Sequence, residues 1–258
     1  MDVYVFLKQR TSLIRHFYDA ASAPFVEVKR CIENELPPFD DPPYDESGEP
    51  AFLTEWLQAD VEHELVGRAA VSMLSEALKQ FFVTWERREG IKPQCAKFCK
   101  KAFESGFIAG YIECFTKVLK IDWSTCPADL DVLKQVVLAR NRAQHPDLIL
   151  DHLIHDKKSL QAYPRPFFVR PEDEVMDPAI TNFLSPTIHI SREKLLEAID
   201  HAEQLAFWLQ QKLEEHRSLK WKTVRQPEAH RNLEGPCGVH GAAPLKLASM
   251  AAQRSPSP

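Results

Sequence analysis

The sequence predicts an all-α fold: an up-and-down helical bundle with one small irregular insertion that carries a β-ribbon. Three observations lead there. Long segments repeat apolar residues at steps of three and four, the period of a helix face. Proline and glycine clusters punctuate those segments. The two short β-like runs, Phe167–Arg170 and Thr187–Ile190, both fall in the proline-rich stretch 146–190, where they can pair as a ribbon. With 258 residues and 44% hydrophobic side chains, the chain can bury one sizeable core.

Val3 to Ala20 reads as a first helix, with Val3, Leu7, Ile14 and Phe17 among its apolar positions. Ser22-Ala23-Pro24 reads as the start of a second, ended by Pro37-Pro38. Together, residues 1–36 make N-terminal helices that pack on the bundle. Residues 37–50, PPFDDPPYDESGEP, form an exposed acidic linker. A long helix follows from about Ala51 to Arg88. Leu53, Leu57 and Val61 step by four, Leu74, Leu78, Phe81 and Trp85 continue the stripe, and Gly90 caps the end. Residues 94–120 read as helical, loosened at Gly106 and Gly110. Pro127-Ala128-Asp129 opens the next helix, which runs to about His145, before Pro146. Ser191 caps a last amphipathic helix with Leu195, Ile199, Ala202, Ala206, Leu209 and Leu213 on one face. The helical domain thus spans 51–225, with the insertion at 146–190, and 226–258 is a Gly/Pro/Ala/Ser-rich basic tail expected to be disordered.

The net charge of −5 hides a polarity along the chain. The linker holds five acids and no base, whereas Arg217 onward holds seven Lys/Arg against two Glu. No apolar run has the length of a membrane span, and Asp2 and Lys8 spoil a signal-peptide pattern, so no membrane partner and a cytoplasmic location are expected. The six cysteines are scattered and suggest buried thiols, not a disulfide framework.

The oddest stretch is Val136–Leu148, VVLARNRAQHPDL, in which an apolar helix turns polar just before a proline. At 100° per residue, Leu133, Val136 and Val137 define a buried arc, and Arg140 and Gln144 fall inside it. Asn141 and His145 are neighbours on an adjoining strip, while Arg142 points with Asp131 and Gln135 toward solvent. A bare string of this kind is most often a polar helix end that complements the dipole. An arginine on an apolar stripe, however, needs a partner or a ligand, and a histidine beside it can exchange a proton near neutral pH.

Arg140-Asn141-Arg142-Ala143-Gln144-His145 resembles the signature of the HEPN superfamily, an arginine followed after four to six residues by histidine, often with asparagine next to the arginine. The resemblance covers about residues 50–215 and implies a HEPN-like bundle. It also implies metal-independent endoribonuclease chemistry, as in toxins and antiphage effectors, in a homodimer whose two motifs face one cleft. Arg140 and His145 match the catalytic pair, and Asn141 the accessory polar residue. The ribose 2′-hydroxyl would attack the adjacent phosphorus to give a 2′,3′-cyclic phosphate, with His145 moving the proton and Arg140 clamping the phosphate. RNA is the implied substrate, and an antitoxin or regulatory protein a possible partner. Some HEPN toxins carry a tyrosine two residues after the histidine, where an antitoxin attaches nucleotide; this chain has Asp147 there, which weighs against that mode of silencing.

Other candidates are weaker. Cys95, Cys99, Cys237 and His240 would make a four-ligand zinc set, but two helix-packing thiols and an unstructured tail is the simpler reading, so neither metal nor cofactor is expected. Lys220, Trp221, Lys222 and Arg225, with Arg142, are candidate RNA contacts through charge and stacking; a solvated helix end is the plainer reading. His152 and His155 read as ordinary surface residues near the motif. Besides the ribonuclease, a non-catalytic HEPN-type module binding nucleotide, RNA or protein stays open, as does a helical scaffold recruiting a partner through its basic tail.

Overall fold

A computed structural model describes residues 2–42, 46, 48–145, 154–174 and 186–225, with side chains as far as 218. The described residues are mostly helical and contain no strand. In chain order the helices are α1 (Val3–Glu33), α2 (Leu53–Glu89), α3 (Lys92–Phe98), α4 (Lys100–Glu104), α5 (Phe107–Leu119), α6 (Leu130–Gln144), α7 (Lys157–Ala162), α8 (Pro171–Glu174) and α9 (Arg192–Arg225). The chain divides into two units, Met1–His216 and Arg217–Pro258. In the second, only the continuation of α9 to Arg225 is described.

The first correction concerns α1. It is one helix, and Pro24 lies inside it. The inward face carries on past the proline, through Ile14, Tyr18, Ser22 and Cys31, so packing on α2 outweighs the one backbone bond that proline removes. Partners along α1 give its direction. Tyr4, Thr11 and Arg15 meet Gln210, Glu203 and Asp200, and Asp19 meets Arg192, so α1 runs antiparallel to α9. Tyr18, Lys29 and Glu33 meet His63, Asp60 and Trp56, so α1 also runs antiparallel to α2.

The core lies where these helices face α5 and α6. Trp85, Phe82 and Phe115 are fully buried, as is the whole expected stripe of α9, Leu195 to Leu213. Each of the leucine, isoleucine and phenylalanine side chains among them contributes roughly 1.5–3 kcal/mol by leaving water. The expected ends hold: Gly90 caps α2 at φ 64°, the Asp129 carboxylate caps α6, and Ser191 Oγ accepts from the Lys194 amide.

Four further expectations need correction. Leu57 and Val61 point outward, 50% and 62% exposed, because the start of α2 turns Asp60, Glu64 and Arg68 toward the protein instead. The 94–120 segment is three helices, broken at Cys99 and Gly106. Gly110 loosens nothing; it lies inside α5, where the Phe103 ring leaves no room for a Cβ. The ribbon shrinks to two isolated antiparallel bridges, Val169 with Ile188 and Ile154 with Thr187. Finally, Cys95 on α3 and Cys114 on α5 are joined as a disulfide, their Cα atoms 5.2 Å apart. Nothing in their spacing announces that pair. Cys31 and Cys99 are buried free thiols, as expected, and Cys126 is half-buried.

Candidate functional site

The polar end of α6 opens into a cleft of about 1120 Å³. Arg140, Asn141 and His145 line one wall, and the α4–α5 corner from Phe103 to Ala109 lines another. A third comes from the insertion, with Asp156, Lys157, Lys158 and Tyr163. The core side of α6 ends at Ala139, which is 2% exposed. One residue further nothing packs as closely, so the arc that is buried at Leu133 becomes cleft wall at Arg140. Arg140 is therefore half-buried and not in the core, and Gln144, expected on the same arc, is exposed. Gln144 lines a separate shallow groove with Leu13 and Met73. A helical wheel gives a direction; it does not say how far the neighbouring helix extends.

Within the motif, Arg140 Nη1 donates to Asn141 Oδ1 at 3.0 Å. The His145 amide closes the last helical bond, donating to the Asn141 carbonyl at 2.8 Å. His145 then leaves the helix at φ −133° and ψ 57°, exposed at the cleft mouth. Arg142 corrects the wheel again. It is half-buried, and its Nε donates to the Ile154 carbonyl at 3.0 Å. Gln135 behaves likewise, its Oε1 accepting from the Phe167 amide at 2.7 Å. The face of α6 assigned to solvent is where the insertion sits. It is held there by side-chain bonds to insertion backbone, beside the core contacts of Phe168 and Ile188.

The cleft is mainly basic. Lys134, Lys157 and Lys158 join the motif's residues, opposed by Glu104 and Asp156. Burial works against the Asp156 charge, but the Ser159 hydroxyl, the Ser159 and Lys158 amides and nearby Arg142 outweigh it and hold its pKa below the usual carboxylate value. That carboxylate is thereby occupied in capping α7. Tyr163, half-buried at the floor, has its pKa raised by burial. A planar ring and several cations around an open cleft suit a phosphorylated ligand with a stackable base. Lys134, Lys157, Lys158 and Tyr163 were missed at the sequence level; only the lysine pair in the insertion gave any signal.

No family model, no curated protein and no solved structure matches this chain.

His155 is not a surface residue. It is 8% exposed, and its Nε2 bonds the Phe168 carbonyl at 2.8 Å, which makes that nitrogen the donor. Burial pulls its pKa below the ordinary histidine value. It holds the insertion together and does not reach the motif. His152, Asp147, Cys237 and His240 lie outside the described residues, as do the side chains of Lys220, Trp221, Lys222 and Arg225. The disulfide takes Cys95 out of the zinc set, and among the described residues no group of three or more ligating side chains could hold a metal ion. No described helix is long and apolar enough to cross a membrane.

A second polar cluster was not foreseen. Glu64 Oε1 takes His189 Nδ1 at 2.7 Å and Arg170 Nη2 at 2.9 Å, and the same Nη2 reaches Asp60 at 2.8 Å. Lys29 binds the other Asp60 oxygen at 2.7 Å. Arg68 lies behind them at 6% exposure, its Nη1 without a hydrogen-bond partner among the described residues. Desolvation would raise the Glu64 pKa, yet His189 and Arg170 outweigh it and hold it low. The signal was present, since Asp60, Glu64 and Arg68 step by four along α2. What no periodicity could supply is the pairing with an insertion more than a hundred residues away.

Proposed function

We propose that the protein is a metal-independent endoribonuclease of HEPN type, with a HEPN-like bundle and the α6 cleft as its active site. The observation that carries the reading is the convergence of Arg140, Asn141 and His145 on one wall of an open, mainly basic cleft. Arg140, its guanidinium aligned by Asn141, clamps the scissile phosphate and offsets charge as the cyclic phosphate forms. His145, free at the cleft mouth, moves the proton of the 2′-hydroxyl or of the leaving 5′-oxygen. Among the described residues one cleft supplies one such histidine, whereas transfer in both directions needs an acid and a base. The reading therefore calls for a two-fold mate that brings in a second motif.

Purified chain should cut RNA to products with 2′,3′-cyclic phosphate and 5′-hydroxyl ends, and a chelator should not change the rate. Arg140→Ala or His145→Ala should lower cleavage by about a hundredfold or more. Cleavage that persists in both variants would sink the proposal.

A second reading, a non-catalytic module binding RNA or nucleotide, draws on one observation: among the described residues nothing holds the His145 ring in a fixed orientation. It expects salt-sensitive RNA binding that Lys157→Ala weakens, with no cleavage of any RNA offered.

A further inference from the structure

A second pocket lies away from the α6 cleft, where the end of α1, the start of the linker and the start of α2 come together. It measures about 560 Å³, the size of a small-ligand or side-chain site. Phe39, Phe52 and Trp56 form its walls, all three half-buried. Phe39 and Phe52 meet edge to face with ring centroids 5.0 Å apart. Trp56 is oriented by its indole, which donates to Glu33 Oε1 at 2.9 Å. Glu33 and Glu35 stand exposed on the rim.

The electrostatic setting is one-sided. From Arg30 to Arg68 the sequence contains no other lysine or arginine, while acids recur throughout. The nearest cation, Lys29, lies 4.5 Å from the centroid of the Trp56 ring and is already paired with Asp60. An aromatic ring in an acidic field attracts positive charge to its face, and Lys29 shows Trp56 engaged in that way. Two pocket residues, Glu35 at φ 51° and Phe52 at φ 57°, hold left-handed backbone conformations that side-chain-bearing residues rarely adopt. The pocket walls are thus set at some conformational cost.

We propose that this pocket is a docking site for an arginine side chain of a basic polypeptide partner. A guanidinium is planar and weakly hydrated, so it stacks on the face of an aromatic ring. Its N–H fork also suits carboxylates such as those of Glu33 and Glu35 on the rim. Nucleic acid does not suit this face, because the surrounding carboxylates repel phosphate. The assignment is independent of the ribonuclease reading, since no residue of the α6 cleft takes part.

The test is titration of the full chain with an acetylated, amidated Gly-Arg-Gly peptide and with its citrulline counterpart, which keeps the shape and loses the charge. The arginine peptide should bind saturably, citrulline about tenfold more weakly, and added salt should weaken only the former. Trp56→Leu should cost about tenfold in affinity and Glu35→Gln about threefold. Glu35 is exposed, so that variant tests the site even if Trp56→Leu disturbs folding. Equal binding of citrulline would overturn the proposal, as would absence of saturation with the arginine peptide or unchanged affinity in Glu35→Gln. Binding of free guanidinium without binding of the peptide would also overturn it.

Discussion

Two polar clusters sit within this bundle, and they are built in opposite ways. Around Glu64 most charges are paired with another segment: Asp60 with Lys29 and Arg170, Glu64 with Arg170 and His189, while Arg68 faces Glu64 on its own helix. At the end of α6 the groups face outward. Arg140 leans on its neighbour Asn141, and His145 stands exposed beside an open cleft. The first arrangement joins α1, α2 and the insertion. The second, among the described residues, joins no other segment through Arg140 or His145. Charge in itself therefore says little about function. What separates the clusters is whether ion pairs tie the charged groups to other segments of the chain.

The largest effect that breaks the comparison should come from Glu64→Ala. Removing it leaves Arg170 with Asp60 alone, takes the partner from His189 and leaves Arg68 without its nearest counter-charge, so unfolding free energy should fall by about 3–5 kcal/mol. Arg140→Ala and His145→Ala should each stay within about 0.5 kcal/mol of the parent. Chemical denaturation of the three variants checks both halves. A large loss of stability in the α6 variants would make that cluster structural and remove the contrast.

The contrast also explains which parts were legible. Helix faces with a full apolar repeat, such as Leu195 to Leu213 on α9, can be read residue by residue, because one repeat implies one buried face. The end of α6 was half legible. The wheel picked out Arg140, Asn141 and His145, but it placed Arg140 in the core and left Arg142 and Gln135 in solvent. The last two errors share a cause: the insertion returns to cover a polar face, and its path has no periodicity. The same return buries His155 and pairs Arg170 with Glu64. The Cys95–Cys114 bond was illegible for a related reason, since it links two helices across a break that the sequence read as one helix.

A moderate effect is expected from pH. Burial holds His155 and His63 below the ordinary histidine value, so the folded protein resists protonation that the unfolded chain accepts. Above about pH 6.5 both states are neutral there and nothing is lost. As pH falls through that value the unfolded state alone gains protons. Stability should then drop by up to about 1.4 kcal/mol per unit for each histidine, and level off below the folded value. Glu64 acts lower down: its depressed folded pKa contributes stability above the ordinary carboxylate value, lost as pH falls through the folded one. Thermal melts from about pH 7.5 to about pH 5.5 should show the histidine loss. In His155→Gln, which keeps a donor for the Phe168 carbonyl but does not titrate, the slope should be shallower. An unchanged slope would mean that His155 is protonated as easily folded as unfolded.

The smallest effect should come from the exposed apolar strip of α2 that runs beside the polar cluster. Leu57, Val61 and Leu65 repeat at four-residue steps like a core stripe, yet they are 50%, 62% and 61% exposed. Further along the same helix Leu74 and Leu78 are fully buried. If the polar cluster dictates the rotation of α2, the outward leucines contribute little and the inward ones a great deal. Val61→Gln and Leu65→Gln should each change stability by no more than about 0.5 kcal/mol. Leu74→Ala should cost about 2–5 kcal/mol. Melts at two protein concentrations then separate folding from association, because a surface buried only between copies makes the midpoint concentration-dependent. A concentration-independent loss of several kcal/mol in Val61→Gln would mean that α2 is rotated with its apolar stripe inward. The Glu64 pairs would then have to break, and the two clusters would no longer differ in kind.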